Sequence, residues 1–136
     1  MKNILVVDDT KPILKMAKFI LGEKYNVYLS NSGELALEIL ECKPIDVVLM
    51  DVDMPEMDGI STVKRIRKMK NIKDIPVIFF TALSSKEIID NCMKLGMRDY
   101  ILKPYEPDVL LQKLEAVIAK STYIAPENGN NEEYEE

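Results

Sequence analysis

The chain has 136 residues, 47% hydrophobic and 30% charged, with 18 Lys and Arg against 23 Asp and Glu for a net charge of −5. That suffices for one domain with a single core. No apolar run approaches the ~18 residues of a membrane helix, and the start MKNILVVDD runs into acids too early for a secretory signal.

Ile4–Val7 (ILVV) reads as a first strand and ends at Asp8-Asp9. Ile13, Leu14, Ala17, Ile20 and Leu21 then share a helical face. Val27–Leu29 is a second strand, ending in Ser30-Asn31. Asn31, three before Glu34, signals a helix start, and Leu35, Ala36, Ile39 and Leu40 continue that helix. Val47–Met50 (VVLM) is a third strand and delivers Asp51. Asp58-Gly59 reads as a cap and turn before a helix carrying Ile60, Val63 and Ile66, whose basic run KRIRKMK (64–70) reads as a solvated face rather than a nucleic-acid grip. Val77–Phe80 (VIFF) is followed by Thr81. Ser84 to Glu87 has capping-box spacing before Ile88, Ile89, Cys92 and Leu95, and Gly96 suits the position after a helix. Tyr100–Leu102 leads into Lys103-Pro104. Pro107 suits a first turn before Leu110, Leu111, Leu114, Val117 and Ile118.

This alternation is (βα)5. Strands apolar on both faces imply a parallel five-stranded sheet covered by helices, a doubly wound three-layer α/β sandwich of strand order 2-1-3-4-5. Residues 1–120 form the predicted domain. Residues 121–136 hold five acids and no base, leaving 18 acids against 18 bases before them, and read as a disordered tail or the start of a linker. Cys42 and Cys92 make no disulfide framework and are expected as buried free thiols, in keeping with a cytoplasmic protein. The absence of histidine removes Ser-His-Asp and Cys-His catalysis and any His-ligated metal.

In a parallel sheet all strand carboxyl ends lie on one edge, and ligands bind where the strand order reverses, here between strands 1 and 3. Asp8, Asp9 and Asp51 would meet there, flanked by Thr81 and Lys103. Any one of these taken alone reads as a turn acid, a strand-end hydroxyl or a surface lysine. Together, three carboxylates require a proton or a cation, and an all-oxygen site suits Mg²⁺ or Mn²⁺. A hard cation, a lysine and a hydroxyl around one accessible carboxylate describe a site for phosphoryl transfer, with Asp51 as nucleophile.

VVDD (6–9), LMDVDMPEMDG (49–59), FFTA (79–82) and DYILKP (99–104), with Thr81 and Lys103 placed 30 and 52 residues after Asp51, resemble the response-regulator receiver domain, the CheY-like family of two-component signalling. The likeness covers about residues 2–120. It implies that Asp51 is the phosphoacceptor, served by a sensor histidine kinase or phosphotransfer protein. Asp8, Asp9, Asp51 and the backbone carbonyl of Asp53 would hold Mg²⁺. Thr81 and Lys103 would bind phosphoryl oxygens, and Lys103–Pro104 would be a cis peptide. Tyr100 would turn with Thr81 as a switch, changing the surface of helix 4, strand 5 and helix 5 that a downstream protein target or missing output domain reads. Without a switching role, Tyr100 reads as a half-buried strand aromatic. The Asp53 side chain is expected to tune metal affinity and phosphate lifetime, and Leu83 to be bland and exposed.

The resemblance implies a signalling domain rather than an enzyme, assisting only its own phosphorylation and slow self-dephosphorylation. It implies a monomer or phosphorylation-dependent dimer with no nucleic-acid or membrane contact. Two rivals stand beside it. A haloacid-dehalogenase-like phosphatase would use Asp51-Val52-Asp53 as its DxD, but its acidic pair should follow the nucleophile, whereas Asp8-Asp9 precede it. A receiver-like adaptor that never takes phosphate would not need Asp51, Thr81 and Lys103 together. A flavodoxin is an alternative at the level of fold only.

Overall fold

The computed structural model describes residues 1–130; the acidic end of the predicted tail, residues 131–136, lies outside the described residues. Five strands alternate with five helices: β1 (Asn3–Val7), α1 (Lys11–Leu21), β2 (Asn26–Ser30), α2 (Gly33–Cys42), β3 (Val47–Met50), α3 (Gly59–Ile66), β4 (Val77–Thr81), α4 (Lys86–Lys94), β5 (Asp99–Leu102) and α5 (Pro107–Lys120). The strands form one parallel sheet of order β2-β1-β3-β4-β5, as the alternating pattern predicts. No described helix is long and apolar enough to cross a membrane.

The two-residue period of the strands divides the core between the faces. Leu5, Val7, Val48, Met50, Val77 and Phe79 point to the side covered by α2, α3 and α4. Ile4, Val6, Val47, Leu49, Ile78 and Phe80 point to the side covered by α1 and α5. Every residue of β3 and β4 is buried, whereas the edge strands β2 and β5 are only partly so. Apolar side chains thus fill most of both sheet faces, and the buried Asp8, Ser30, Asp51 and Thr81 lie at the strand ends.

Local details depart from expectation in four places. α2 is capped by Ser32, not Asn31: the Leu35 amide donates to the Ser32 hydroxyl at 3.1 Å. Gly33, the first residue of α2, is pressed against α3, where a Cβ would stand 2.2 Å from Thr62 Oγ1. Along α2, Leu37 turns inward with Ala36 and Leu40, and Leu35 is left exposed. α4 is capped by Ser85 rather than Ser84, and in the preceding loop Leu83 packs partly against the core instead of lying exposed. Cys42 is exposed, two residues past Leu40 and off the buried face, while Cys92 is fully buried.

The fourth departure is the segment after α5. Read as a solvated tail, residues 121–130 instead lie against the body. Tyr123 packs on the core face of α2, α3 and α4. The Asn130 amide donates to the Leu40 carbonyl at 2.9 Å, supplying a partner to one of the carbonyls that a helix C-terminus leaves unmet.

Candidate functional site

The carboxyl edge of the sheet collects Asp8 after β1, Asp51 after β3, Thr81 at the end of β4 and Lys103 after β5. Hydrogen bonding sets these positions before any chemistry does. The Asp8 amide continues the sheet by donating to Ser30 O at 3.0 Å, and the Asp51 amide donates to Val7 O at 2.9 Å. Asp8 and Asp51 therefore emerge side by side across the β1–β3 junction. Asp8 is fully buried, Asp51 is nearly so and Asp9 is exposed. One carboxylate oxygen from each lies within 4.8 Å of the other two. The Asp53 side chain is exposed and is not among them.

Lys103 supplies the opposing charge. Its ammonium donates to Asp8 Oδ2 and stands 3.4 Å from Asp51 Oδ2. It also lies 4.6 Å from the centroid of the Phe80 ring, so its stem crosses an apolar floor. The Lys103–Pro104 peptide is cis. The buried Thr81 hydroxyl faces the Asp51 carboxylate and favours its charged form. Asp8 Oδ1 accepts from the Thr10 amide at 2.7 Å, which locks its rotamer.

Burial pushes the Asp51 carboxyl above its ordinary range; the Lys103 charge and the Thr81 hydroxyl oppose that rise, and Asp8 adds to it. Carboxylate oxygens within 4.8 Å of one another repel by about 3 kcal/mol or more per pair at an effective dielectric near 20. Three carboxylates against one ammonium leave two negative charges, which one divalent cation cancels. Exposed Asp9 gives the cation a route from water, and an all-oxygen donor set with room for water suits Mg²⁺. The residues present therefore fit such an ion.

Two participants were not visible as such in the sequence. Gly59, read as a turn residue, lies beneath the acceptor: a Cβ there would stand 2.0 Å from the Asp51 carbonyl oxygen. Its amide donates to Val52 O at 2.8 Å, closing the loop after β3, while Asp58 caps α3 by accepting from the Ser61 amide at 2.7 Å. Leu83 is the second. Its amide donates to Thr81 Oγ1 at 3.3 Å, and its carbonyl accepts from the Tyr100 hydroxyl. Tyr100 is half-buried and tied to the loop that begins at Thr81.

Comparison with known proteins agrees with this arrangement. Residues 4–115 match the response regulator receiver domain family. The transcriptional regulatory protein ZraR of Escherichia coli is 42% identical over 126 residues, 92% of this chain but 28% of its own length. The chain thus spans little more than a quarter of that relative. Vibrio cholerae chemotaxis protein CheY4 superposes with a TM-score of 0.82 at 31% identity, covering 86% of this chain and 98% of that one. The receiver domain of the Pseudomonas aeruginosa sensor histidine kinase PA1611, solved with magnesium in its active-site cleft, superposes with a TM-score of 0.80 at 31% identity, covering 88% and 98%. With its sheet order, its strand-end acids and these matches in accord, the chain belongs to the response-regulator receiver domain family, the phosphoacceptor signalling domains of two-component systems.

Proposed function

We propose that Asp51 is the phosphoacceptor and that Asp8, Asp9, Asp51 and the Asp53 backbone carbonyl hold Mg²⁺. The observation that carries this reading is the gathering of three carboxylates, Lys103 and Thr81 at one sheet edge. An Asp51 oxygen attacks the phosphorus of a phosphohistidine on a sensor kinase or phosphotransfer protein. The P–O bond forms as the P–N bond breaks, and the imidazole leaves. Mg²⁺, when bound, neutralises the acids and the incoming phosphoryl oxygens. Lys103 then exchanges its contact with Asp8 for a phosphoryl oxygen, and the Thr81 hydroxyl turns from Asp51 to another. Water later hydrolyses the acyl phosphate slowly, so the domain turns over its own phosphate without acting as a general phosphatase. The exposed Asp53 side chain adds negative charge at the mouth; Asp53→Asn is expected to weaken Mg²⁺ binding, and an unchanged affinity would refute that role.

Phosphorylation biases two arrangements of the β4–α4 loop. Movement of Thr81 towards the phosphoryl group pulls Leu83 and frees the Tyr100 hydroxyl held by its carbonyl. The surface of α4, β5 and α5 changes with it, and a downstream protein or output domain reads that change. Incubation with Mg²⁺ and acetyl phosphate tests the reading: intact-mass measurement gains one phosphoryl group in the wild type and none in Asp51→Asn. Equal labelling of the variant would overturn it.

A further inference from the structure

The ten residues after α5 have no part in the chemistry above. α5 packs on the α1 side of the sheet, yet Tyr123 packs on the opposite side, so the chain passes beneath the amino-terminal edge of the strands. The segment is anchored at both ends. At the near end the Ser121 amide donates to Ile118 O at 3.2 Å and Tyr123 packs on the core. At the far end the Gly129 amide donates to Pro126 O at 3.1 Å and the Asn130 amide to Leu40 O at 2.9 Å. Asn130 Oδ1 accepts from the Asn71 amide at 3.2 Å. Gly129 has φ +68°, and a Cβ there would stand 2.4 Å from Leu40 O. Only glycine lets the backbone lie this close.

Between these anchors the segment meets Arg67. Thr122, Arg67, Leu95 and Gly96 line one cavity, and the hydroxyl of the next residue, Tyr123, is buried with no hydrogen-bond partner among the described residues. Arg67 is no solvated base of the KRIRKMK run. Its Nε–H donates to Leu95 O at 2.8 Å, and one terminal nitrogen donates to Lys73 O at 2.9 Å and Ile75 O at 2.6 Å. Leu95 is the residue that ends α4. The fork of one guanidinium therefore ties the end of α4 to the turn before β4, and Thr122 of the strap lines the same cavity.

We propose that Ser121–Asn130 is an intramolecular strap that steadies the carboxyl end of α4 through Arg67, so that docking of the strap and order in α4 are coupled. Coupling of this kind is reciprocal. A protein that grips the strap loosens α4, and a change in α4 loosens the strap. The coupling concerns the face that the proposed function assigns to output, but its geometry does not depend on phosphorylation of Asp51.

Hydrogen exchange on the full chain, read by mass spectrometry without Mg²⁺ or phosphodonor, tests the coupling. In Tyr123→Ala and the milder Asn130→Ala, amides of Cys92–Arg98 exchange about fivefold faster, the loss expected for one ordinary contact, while amides of α1 keep their wild-type rate. Arg67→Lys, which keeps the charge but loses the fork, accelerates the same amides, and adding Tyr123→Ala to it accelerates them no further. Faster exchange in the strap with α4 unchanged would overturn the proposal. So would equal acceleration of α1 and α4, which would mark the strap as a general stabiliser. Acetyl phosphate labelling of the same samples reports separately on Asp51.

Discussion

Lys103→Met removes the cation that faces the acidic cluster among the described residues while keeping an unbranched stem over Phe80. At 3.4 Å from Asp51 Oδ2, the ammonium attracts a full carboxylate charge by about 5 kcal/mol at an effective dielectric near 20. Three factors reduce the net loss. Lys103 is 15% exposed, its own desolvation is relieved, and Asp51 accepts a proton more readily than an ordinary carboxylate. Asp8 is fully buried and left without its cation, a situation that costs about 3–5 kcal/mol in other buried pairs. A net loss of about 3 kcal/mol is expected in chelator. With a urea dependence of about 1.5 kcal/mol per molar, the unfolding midpoint falls by about 2 M. Mg²⁺ then compensates, because it faces a more negative site in the variant and binds it more tightly. Urea titrations of both proteins with EDTA and with Mg²⁺ check this. Equal midpoints in EDTA, or a smaller Mg²⁺ stabilisation in the variant than in the wild type, would refute the electrostatic account of the site.

Gly59→Ala should lower stability by about 2–3 kcal/mol through overpacking and abolish Mg²⁺-dependent labelling by acetyl phosphate, because the new Cβ can fit only if the Asp51 carbonyl moves. Wild-type labelling in a stable variant would contradict the close approach. The two thiols should differ: native protein reacts with one equivalent of a thiol reagent at Cys42, and Cys92 reacts only on unfolding. Burial pushes the Cys92 thiol up to about 11 from an ordinary value of 9.0. The folded state thus holds this proton more tightly than the unfolded state, so its contribution to stability is complete below pH 9 and is lost as pH rises through about 11. Urea midpoints from pH 8 to 11 should fall less steeply for Cys92→Ala than for the wild type, and parallel curves would sink the assignment.

Much of this protein was legible in the order of its residues. Runs such as Val47–Met50 and Val77–Phe80 are apolar at every position, which suits only strands covered on both faces. A parallel sheet sends all strand ends to one edge, so the positions of Asp8, Asp51, Thr81 and Lys103 after their strands already place them together. Gly96 and Asp58 carried their local roles in their chemistry, a left-handed conformation at φ +75° and an N-cap.

What the sequence left undecided depended on which neighbour each residue met. Ser85 rather than Ser84 caps α4, beside a loop whose Leu83 packs partly against the core, a tertiary contact. Gly59 looked like any turn glycine until the Asp51 carbonyl was found against it. Arg67 and Lys68 stand side by side in one basic run, yet only the helix rotation places the first over three carbonyls. The segment after Lys120 has the composition of a solvated tail, but a few long-range contacts, Tyr123 on the core and Asn130 on Leu40, outweigh that average. Periodicity and composition report what a stretch can bury. Only the packed chain decides which surface is there to receive it, because that surface is assembled from residues distant in sequence.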